Sequence, residues 1–337
     1  MSFDAALHLR HQSIETLQSA EYWSRICPRL TISPDPMALR LAAHKPDITI
    51  DASRRIALAT RGFFHVEAAE LGIPTAVLAS LYASIPLLLA LGHEPSAIYM
   101  FDEAWACGAT LAACLAGVTS NVASGDAVAF LVSPGRHLFS GPHRDKPLAG
   151  ASSFRLDGAP MFLTAWLSLC AATPASSCLY FVPADKDDGY RNEGDAIMQA
   201  LPGPATWPRI EAQPCAAGDV LCFSHRLLHW GGEAAVGAPA RAALSFSFAD
   251  PFFEPAAFDA SNLPLPPLKL RLAHVAAQAI LYAAQAPLNK GSLALANRMF
   301  AAQQKSFDPV YADRVLVAAQ MLKFIMRSSG GCGRSAH

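Results

Sequence analysis

Apolar positions follow different rhythms in successive parts of the chain. Over residues 3–20 they recur at the three-to-four spacing of a helix, and the Pro-rich stretch from Pro28 to Pro36 closes that unit. Segments 75–92 and 101–118 are rich in Ala and Leu, long enough for helices, and parted by His93, Glu94 and Pro95. From about residue 127 the rhythm shortens to apolar runs broken by Gly, Pro, Asp and Ser. AVAFLVS (127–133), FLTAWLSL (162–169), CLYFVP (178–183), GDVLCFS (218–224) and ARAALSFSF (240–248) each predict a strand. Helical spacing returns over 268–285, 292–304 and 308–327, and the ending SSGGCGRSAH predicts a disordered tail over 329–337.

Helices, then strands, then helices, with no βαβ alternation, argue against a doubly wound parallel sheet. The order predicts an α+β chain with a mainly β core, an antiparallel barrel or jelly roll clad in helices. One elaborated domain is expected: a helical region over 1–126, the β core over 127–250 and C-terminal helices over 251–328.

Composition narrows the function classes. Apolar residues make up 52% and charged residues 16% of the chain, well below the charged share of about 25% usual in soluble domains, so a large interior is expected. With 26 basic and 27 acidic residues the net charge of -1 offers no footprint for nucleic acid or anionic membranes. The cysteines form no C-x-x-C pair, and the N-terminus lacks the basic and apolar run of an export signal; reduced, mostly buried thiols in a cytoplasmic protein are expected. From Ile73 to Gly92 no charge occurs, a run about long enough to cross a bilayer. Pro74 and Pro86 interrupt it and no basic cluster flanks it, so a buried core helix is expected and no membrane insertion.

Candidate chemistry starts at GPHRD. On extended backbone residues i and i+2 share a face, so His143 and Asp145 can converge on one ion while Arg144 points away. H-x-D alone is a common accident, and a third ligand is required. GDVLCFSHRLLHWGGE offers two, His225 and His229. Two imidazoles and one carboxylate are the facial donor set of non-haem iron(II) oxygenases. On the strand ARAALSFSF, Arg241, Ala243, Ser245 and Ser247 share one face and Ala242, Leu244, Phe246 and Phe248 the other. The first face puts a guanidinium inside the barrel, where its planar fork suits a carboxylate; a structural pairing with a distant Asp or Glu is the alternative. HRD also occurs in protein kinases, but Gly150 stands where their metal-binding Asn belongs and no glycine-rich loop precedes it.

Over Ala127 to Asp250 the chain resembles the phytanoyl-CoA dioxygenase family of iron(II)- and 2-oxoglutarate-dependent oxygenases. The likeness rests on GPHRD, the Trp-containing strand TAWLSL, SSCLYFVP, the GDVLCFS and RLLH segments, and the Arg of the next strand. It implies a double-stranded β-helix, cupin-like, with iron held by His143, Asp145 and His229 and the 2-oxoglutarate carboxylate by Arg241. R-L-L-H selects His229 over His225, which becomes a loop or supporting residue. Trp166 matches a tryptophan lining the co-substrate pocket, and Thr164 and Ser245, of inward parity, are candidates to help bind the distal carboxylate. Many relatives have a P-G-S-H turn where this chain has PADKDDGYRNEGD (183–195), so substrate contacts do not transfer.

The activity implied is oxidation of an unactivated C–H bond of a small, hydrophobic metabolite, as in secondary metabolism, by O2 and 2-oxoglutarate with release of succinate and CO2. Hydroxylation is the default, with desaturation or cyclisation open. Alternatives are a cupin-like metalloenzyme that does not use 2-oxoglutarate and a catalytically silent partner subunit. A homo- or heterodimer is compatible with the C-terminal helices.

Overall fold

The computed structural model describes residues 12–33, 52–135, 141–146, 151–192, 206–258, 265–283 and 288–328. Short helices α1 (Ile14–Leu17) and α2 (Ala20–Ile26) are followed by α3 (Ala52–Arg61), β1 (Phe63–Val66), α4 (Ala68–Leu71), α5 (Thr75–Ala90) and α6 (Asp102–Leu115). The strands β2 (Val122–Val132), β3 (Phe162–Ser168), β4 (Leu179–Val182), β5 (Glu211–Gln213), β6 (Val220–Ser224), β7 (Leu228–Gly231) and β8 (Arg241–Ala249) come next. Helices α7 (Leu268–Leu281), α8 (Lys290–Ala301) and α9 (Pro309–Ser328) close the order.

The strands form two antiparallel sheets, β1-β6-β3-β8-β2 and β5-β4-β7. Alternation divides each long strand between two environments. One face of the larger sheet, including Ala129, Leu163, Ala165, Leu244 and Phe246, packs with Leu81 and Leu111 of the N-terminal helices and Leu272 of α7. α6 reaches this face closely at Gly108, where an added Cβ would stand 2.8 Å from the Phe246 ring. The opposite face meets the smaller sheet through Phe63, Trp166, Leu221 and Phe223 against Leu179 and Phe181. The Phe181 ring lies 4.9 Å from Phe63 and 5.2 Å from Phe223, so the two sheets share an aromatic interior.

The C-terminal helices carry a cluster of their own around Phe300, Phe307 and Val315. Buried Arg271 of α7 binds them to the N-terminal half: its Nη1 donates to Asp102 Oδ1 at 2.7 Å and to the Met100 carbonyl at 2.8 Å. Asp102 also accepts from the Ser33 amide at 2.7 Å.

Several expectations need correction. The N-terminal helix expected over 3–20 is broken at Gln18 and Ser19, where Ser13 caps a single turn and α2 starts again; its first residues lie outside the described set. The region 1–126 is not wholly helical, because β1 forms an edge of the larger sheet. β2 begins at Val122, five residues early, and its register shifts between Ala123 and Ala127 around Gly125 at φ +74°. The expected tail over 329–337 lies outside the described residues. The uncharged run 73–92 forms α5, which buries Leu78, Leu81, Ile85 and Leu88, and no described helix is long and apolar enough to cross a membrane. Among the described cysteines none is in a disulfide, and only Cys170 is not fully buried.

Candidate metal and co-substrate site

His143 and His229 are joined by the backbone. Each donates its amide to the other's carbonyl at 3.0 Å, an isolated antiparallel bridge that sets the two rings 4.3 Å apart. Asp145, two residues along, turns to the same side: its Oδ1 lies 3.8 Å from His143 Nε2 and 3.6 Å from His229 Nε2. One ligand atom from each of the three residues falls within 4.8 Å of the others, the spacing of a metal clasp. Arg144 faces away, as strand parity requires, and its guanidinium binds both oxygens of Asp187 at 2.7 and 3.1 Å.

The nitrogens are assigned by their neighbours. His143 Nδ1 lies 2.7 Å from the Gly141 carbonyl and His229 Nδ1 lies 2.9 Å from the Leu227 carbonyl. A carbonyl only accepts, so each Nδ1 carries the proton and each Nε2 presents a lone pair toward Asp145. Burial, together with the His143 ring, pushes His229 down to about 4 and keeps it the neutral donor that a metal needs. Burial works to raise the Asp145 carboxyl, but His229, His143 and the Thr164 hydroxyl outweigh it and hold the group below its ordinary range. The donor set thus suits a divalent ion.

His225 is excluded as a ligand by its bonds. Its Nδ1 meets the Phe162 carbonyl and its Nε2 the Ser153 hydroxyl, both at 2.8 Å, and burial pushes its pKa down to about 4. It ties the chain after β6 to β3 and to the 153 turn.

Arg241 opens β8 on its inner face and is buried. Its Nε donates to the Ser177 carbonyl at 2.9 Å and Nη2 to the Ser177 hydroxyl at 3.1 Å, while the guanidinium lies 5.1 Å from the centre of the Trp166 ring. Among the described residues no carboxylate pairs with it, and burial lowers its pKa to about 10. The alternative of a structural ion pair with a distant acid therefore finds no partner in the described residues. Gly231 stands two positions beyond His229 on β7, the same face and about 7 Å along the strand. A Cβ there would lie 3.3 Å from Arg241 Nη2 and 3.6 Å from Ser177 Oγ, so the glycine keeps open the ground between the clasp and the guanidinium.

The supporting residues divide. Trp166 lies against Arg241 and opposite Ser245 in the β3–β8 pairing, and Ser245 is buried on that inner face. Thr164 does not join them: its hydroxyl donates to Asp145 Oδ2 at 2.7 Å, so the expected contact with a distal carboxylate is replaced by a hold on the candidate metal ligand. Ser177, Gly231, Arg144 and Arg226 were not singled out from the sequence. Buried Arg226 of R-L-L-H donates to the carbonyls of Gly189, Tyr190 and Asn192 at 2.8, 3.1 and 2.9 Å. With the Arg144 to Asp187 pair, it clamps the described part of loop 183–195. The arginines within H-R-D and R-L-L-H were the available signal, and both point at one loop.

Two imidazoles and a carboxylate on paired extended segments, between facing antiparallel sheets, form a candidate site for one metal ion. Residues 109–242 match the sequence profile of the phytanoyl-CoA dioxygenase (PhyH) family. GPHRD, TAWLSL, SSCLYFVP and RLLH all fall inside the match, and Arg241 is its penultimate residue, so the motifs that carry the resemblance lie within the matched segment. No curated protein sequence matches the chain. Similar solved structures include the non-heme alpha ketoglutarate dependent epimerase SnoN from nogalamycin biosynthesis, 20% identical over 64% of this chain and 84% of that one with a TM-score of 0.44. The carbocyclase SnoK from the same biosynthesis is 18% identical over 59% and 84% with a TM-score of 0.42. HygX from Streptomyces hygroscopicus, solved with nickel and 2-oxoglutarate bound, is 13% identical over 61% and 89% with a TM-score of 0.44.

Proposed function

We propose that the protein is an Fe(II)- and 2-oxoglutarate-dependent oxygenase acting on an unactivated C–H bond of a small, hydrophobic metabolite. His143, Asp145 and His229 hold the iron and Arg241 the distal carboxylate of 2-oxoglutarate, with Trp166 and Ser245 beside it. The observation that carries this reading is the buried Arg241 guanidinium, which meets no carboxylate among the described residues, close to a two-His, one-carboxylate clasp. A buried cation of this kind is costly unless an anion completes it. A metal site that used no dicarboxylate would have no use for it.

When bound, iron with 2-oxoglutarate and O2 supplies the oxidising power, released with succinate and CO2. The chain's own part is positional. The His143–His229 bridge fixes two donors, Thr164 orients Asp145 through its second oxygen, and Arg241 sets the co-substrate's far end. The Phe181 and Phe223 rings, 6.3 and 4.6 Å from the His229 ring, keep that side of the site dry. Hydroxylation is the default outcome, with desaturation or cyclisation available to the same machinery. The finer architecture in this reading is a double-stranded β-helix, with the helical regions and the sheets in one domain. The bound partners are small molecules, and dimer formation stays open to test.

Two measurements decide. Aerobic incubation with iron and 2-oxoglutarate should release succinate, and anaerobic titration should raise the visible iron-to-keto-acid charge-transfer band. A protein that binds iron but gives neither is a cupin-like metalloenzyme of another type, and one that binds no iron is a silent partner subunit.

A further inference from the structure

Arg241 is held by one residue in an unusual backbone state. Ser177 is the one non-glycine residue among those described with positive φ, at +69°. It is fully buried, so its conformation is fixed by the surrounding chain and not by solvent. The turn before it is tightly tied: Ser176 donates its amide to the Thr173 carbonyl at 3.0 Å, Cys178 donates to the same carbonyl at 2.8 Å, and Thr173 donates its amide to Ser176 Oγ at 2.9 Å. From the far side, Gly232 donates to the Cys178 carbonyl at 3.3 Å and Ala235 to the Ala175 carbonyl at 2.8 Å, so the segment following β7 holds the turn in place.

The left-handed state has a geometric result. It turns the Ser177 carbonyl and hydroxyl to the same guanidinium, where they accept from Nε and Nη2. Glycine is the residue that adopts φ +69° most easily, yet serine stands there. The side chain adds one thing to the turn that glycine lacks, an oxygen on Nη2. Both bonds orient the fork, and neither neutralises it, because both acceptors are uncharged. With no carboxylate on it among the described residues, the positive charge is left for a ligand.

We infer that Ser177 is a positioning residue for the co-substrate: its left-handed backbone and its hydroxyl aim Arg241 at the distal carboxylate of the dicarboxylic keto acid. This rests on the function proposed above and adds to it a residue of SSCLYFVP to which the resemblance gave no role. Ser177 acts through Arg241, to which its carbonyl and hydroxyl are both bonded. A purely structural serine would influence folding, whereas a positioning serine must influence only ligands that reach Arg241.

The test compares wild type, Ser177→Gly, Ser177→Ala, Arg241→Ala and the Ser177→Gly/Arg241→Ala double variant, all loaded anaerobically with iron(II). Equilibrium affinities are read by titration calorimetry for 2-oxoglutarate and for pyruvate, which has the keto acid head but no second carboxylate. Thermal midpoints are recorded without ligand. Ser177→Gly should retain or raise the midpoint, since the backbone strain is relieved, yet bind 2-oxoglutarate about tenfold more weakly, the loss of one charge-assisted hydrogen bond. Ser177→Ala should weaken 2-oxoglutarate to a similar degree, pyruvate affinity should stay unchanged in both, and in the Arg241→Ala background Ser177→Gly should cause no further loss. Equal 2-oxoglutarate affinity in wild type and both serine variants, or equal weakening for pyruvate, overturns the assignment. Wild-type protein that binds no 2-oxoglutarate overturns the proposed function instead, so the two failures are distinguishable.

Discussion

At the scale of single residues the site is governed by which nitrogen or oxygen is already engaged. His225 and His229 are four apart in one short segment, but His225 has both ring nitrogens occupied whereas His229 has only Nδ1 occupied by a carbonyl. His229→Ala should therefore abolish the anaerobic charge-transfer band, and His225→Ala should retain it while lowering stability by about 2–4 kcal/mol, read as a shift in the urea midpoint. Arg241→Lys keeps the charge but loses the planar fork that Ser177 holds from one side. An increase of about tenfold to one-hundredfold in the dissociation constant for 2-oxoglutarate is expected, with iron affinity unchanged. A fluorescence or calorimetric titration of each ligand separates the two.

At the scale of elements, alternation along β8 was readable because one face is continuously apolar and packs on helices, leaving Arg241 and Ser245 to the other face. H-x-D parity was legible for the same reason. β1 was not, because Phe63 to Val66 is only a four-residue strand with its partner, β6, about 160 positions away, and local rhythm carries no trace of such a pairing. β7 was hidden similarly: Leu228–Gly231 pairs with β4 through residues distant in sequence, so His229 was found by its motif and not by its strand. Ser177 gave no signal at all, since a serine in a turn does not announce a positive φ. Packing between elements gives a prediction at Gly108, where α6 leaves no room beside Phe246. Gly108→Val should cost about 1–3 kcal/mol in urea unfolding despite the better helix propensity of valine. A pH effect belongs to α7. His274, buried against Tyr99, Trp105 and Phe258 and bonded to the Gly125 carbonyl, has its pKa pushed down to about 4 by burial, although Asp126 opposes this. Its folded form stays neutral while the unfolded chain takes up a proton below about 6.5, so stability is full above that pH and falls as pH drops toward about 4. His274→Gln should remove up to about 3 kcal/mol of the stability change across that pH range, read by urea unfolding at each pH.

At the scale of the whole molecule, the helices on either side of the strands are joined by the buried Arg271 and Asp102 pair, which neither helical rhythm nor composition revealed. Removing one partner leaves a buried charge alone, so Arg271→Ala should cost about 3–5 kcal/mol, checked by equilibrium denaturation with probes in both halves. The order of helices and strands was legible because it is written in local periodicity; the way the halves lock was not, because it depends on two charged residues 169 positions apart. The reciprocal amide bridge between His143 and His229 has a practical consequence. Because hydrogen bonds within the chain, and not the ion, bring those rings together, stripping with a chelator should leave the far-ultraviolet circular dichroism spectrum unaltered, and the emptied protein should accept cobalt or nickel on mixing. A metal held there would be an exchangeable part, and spectroscopically convenient substitutes would report on the pocket without any refolding step.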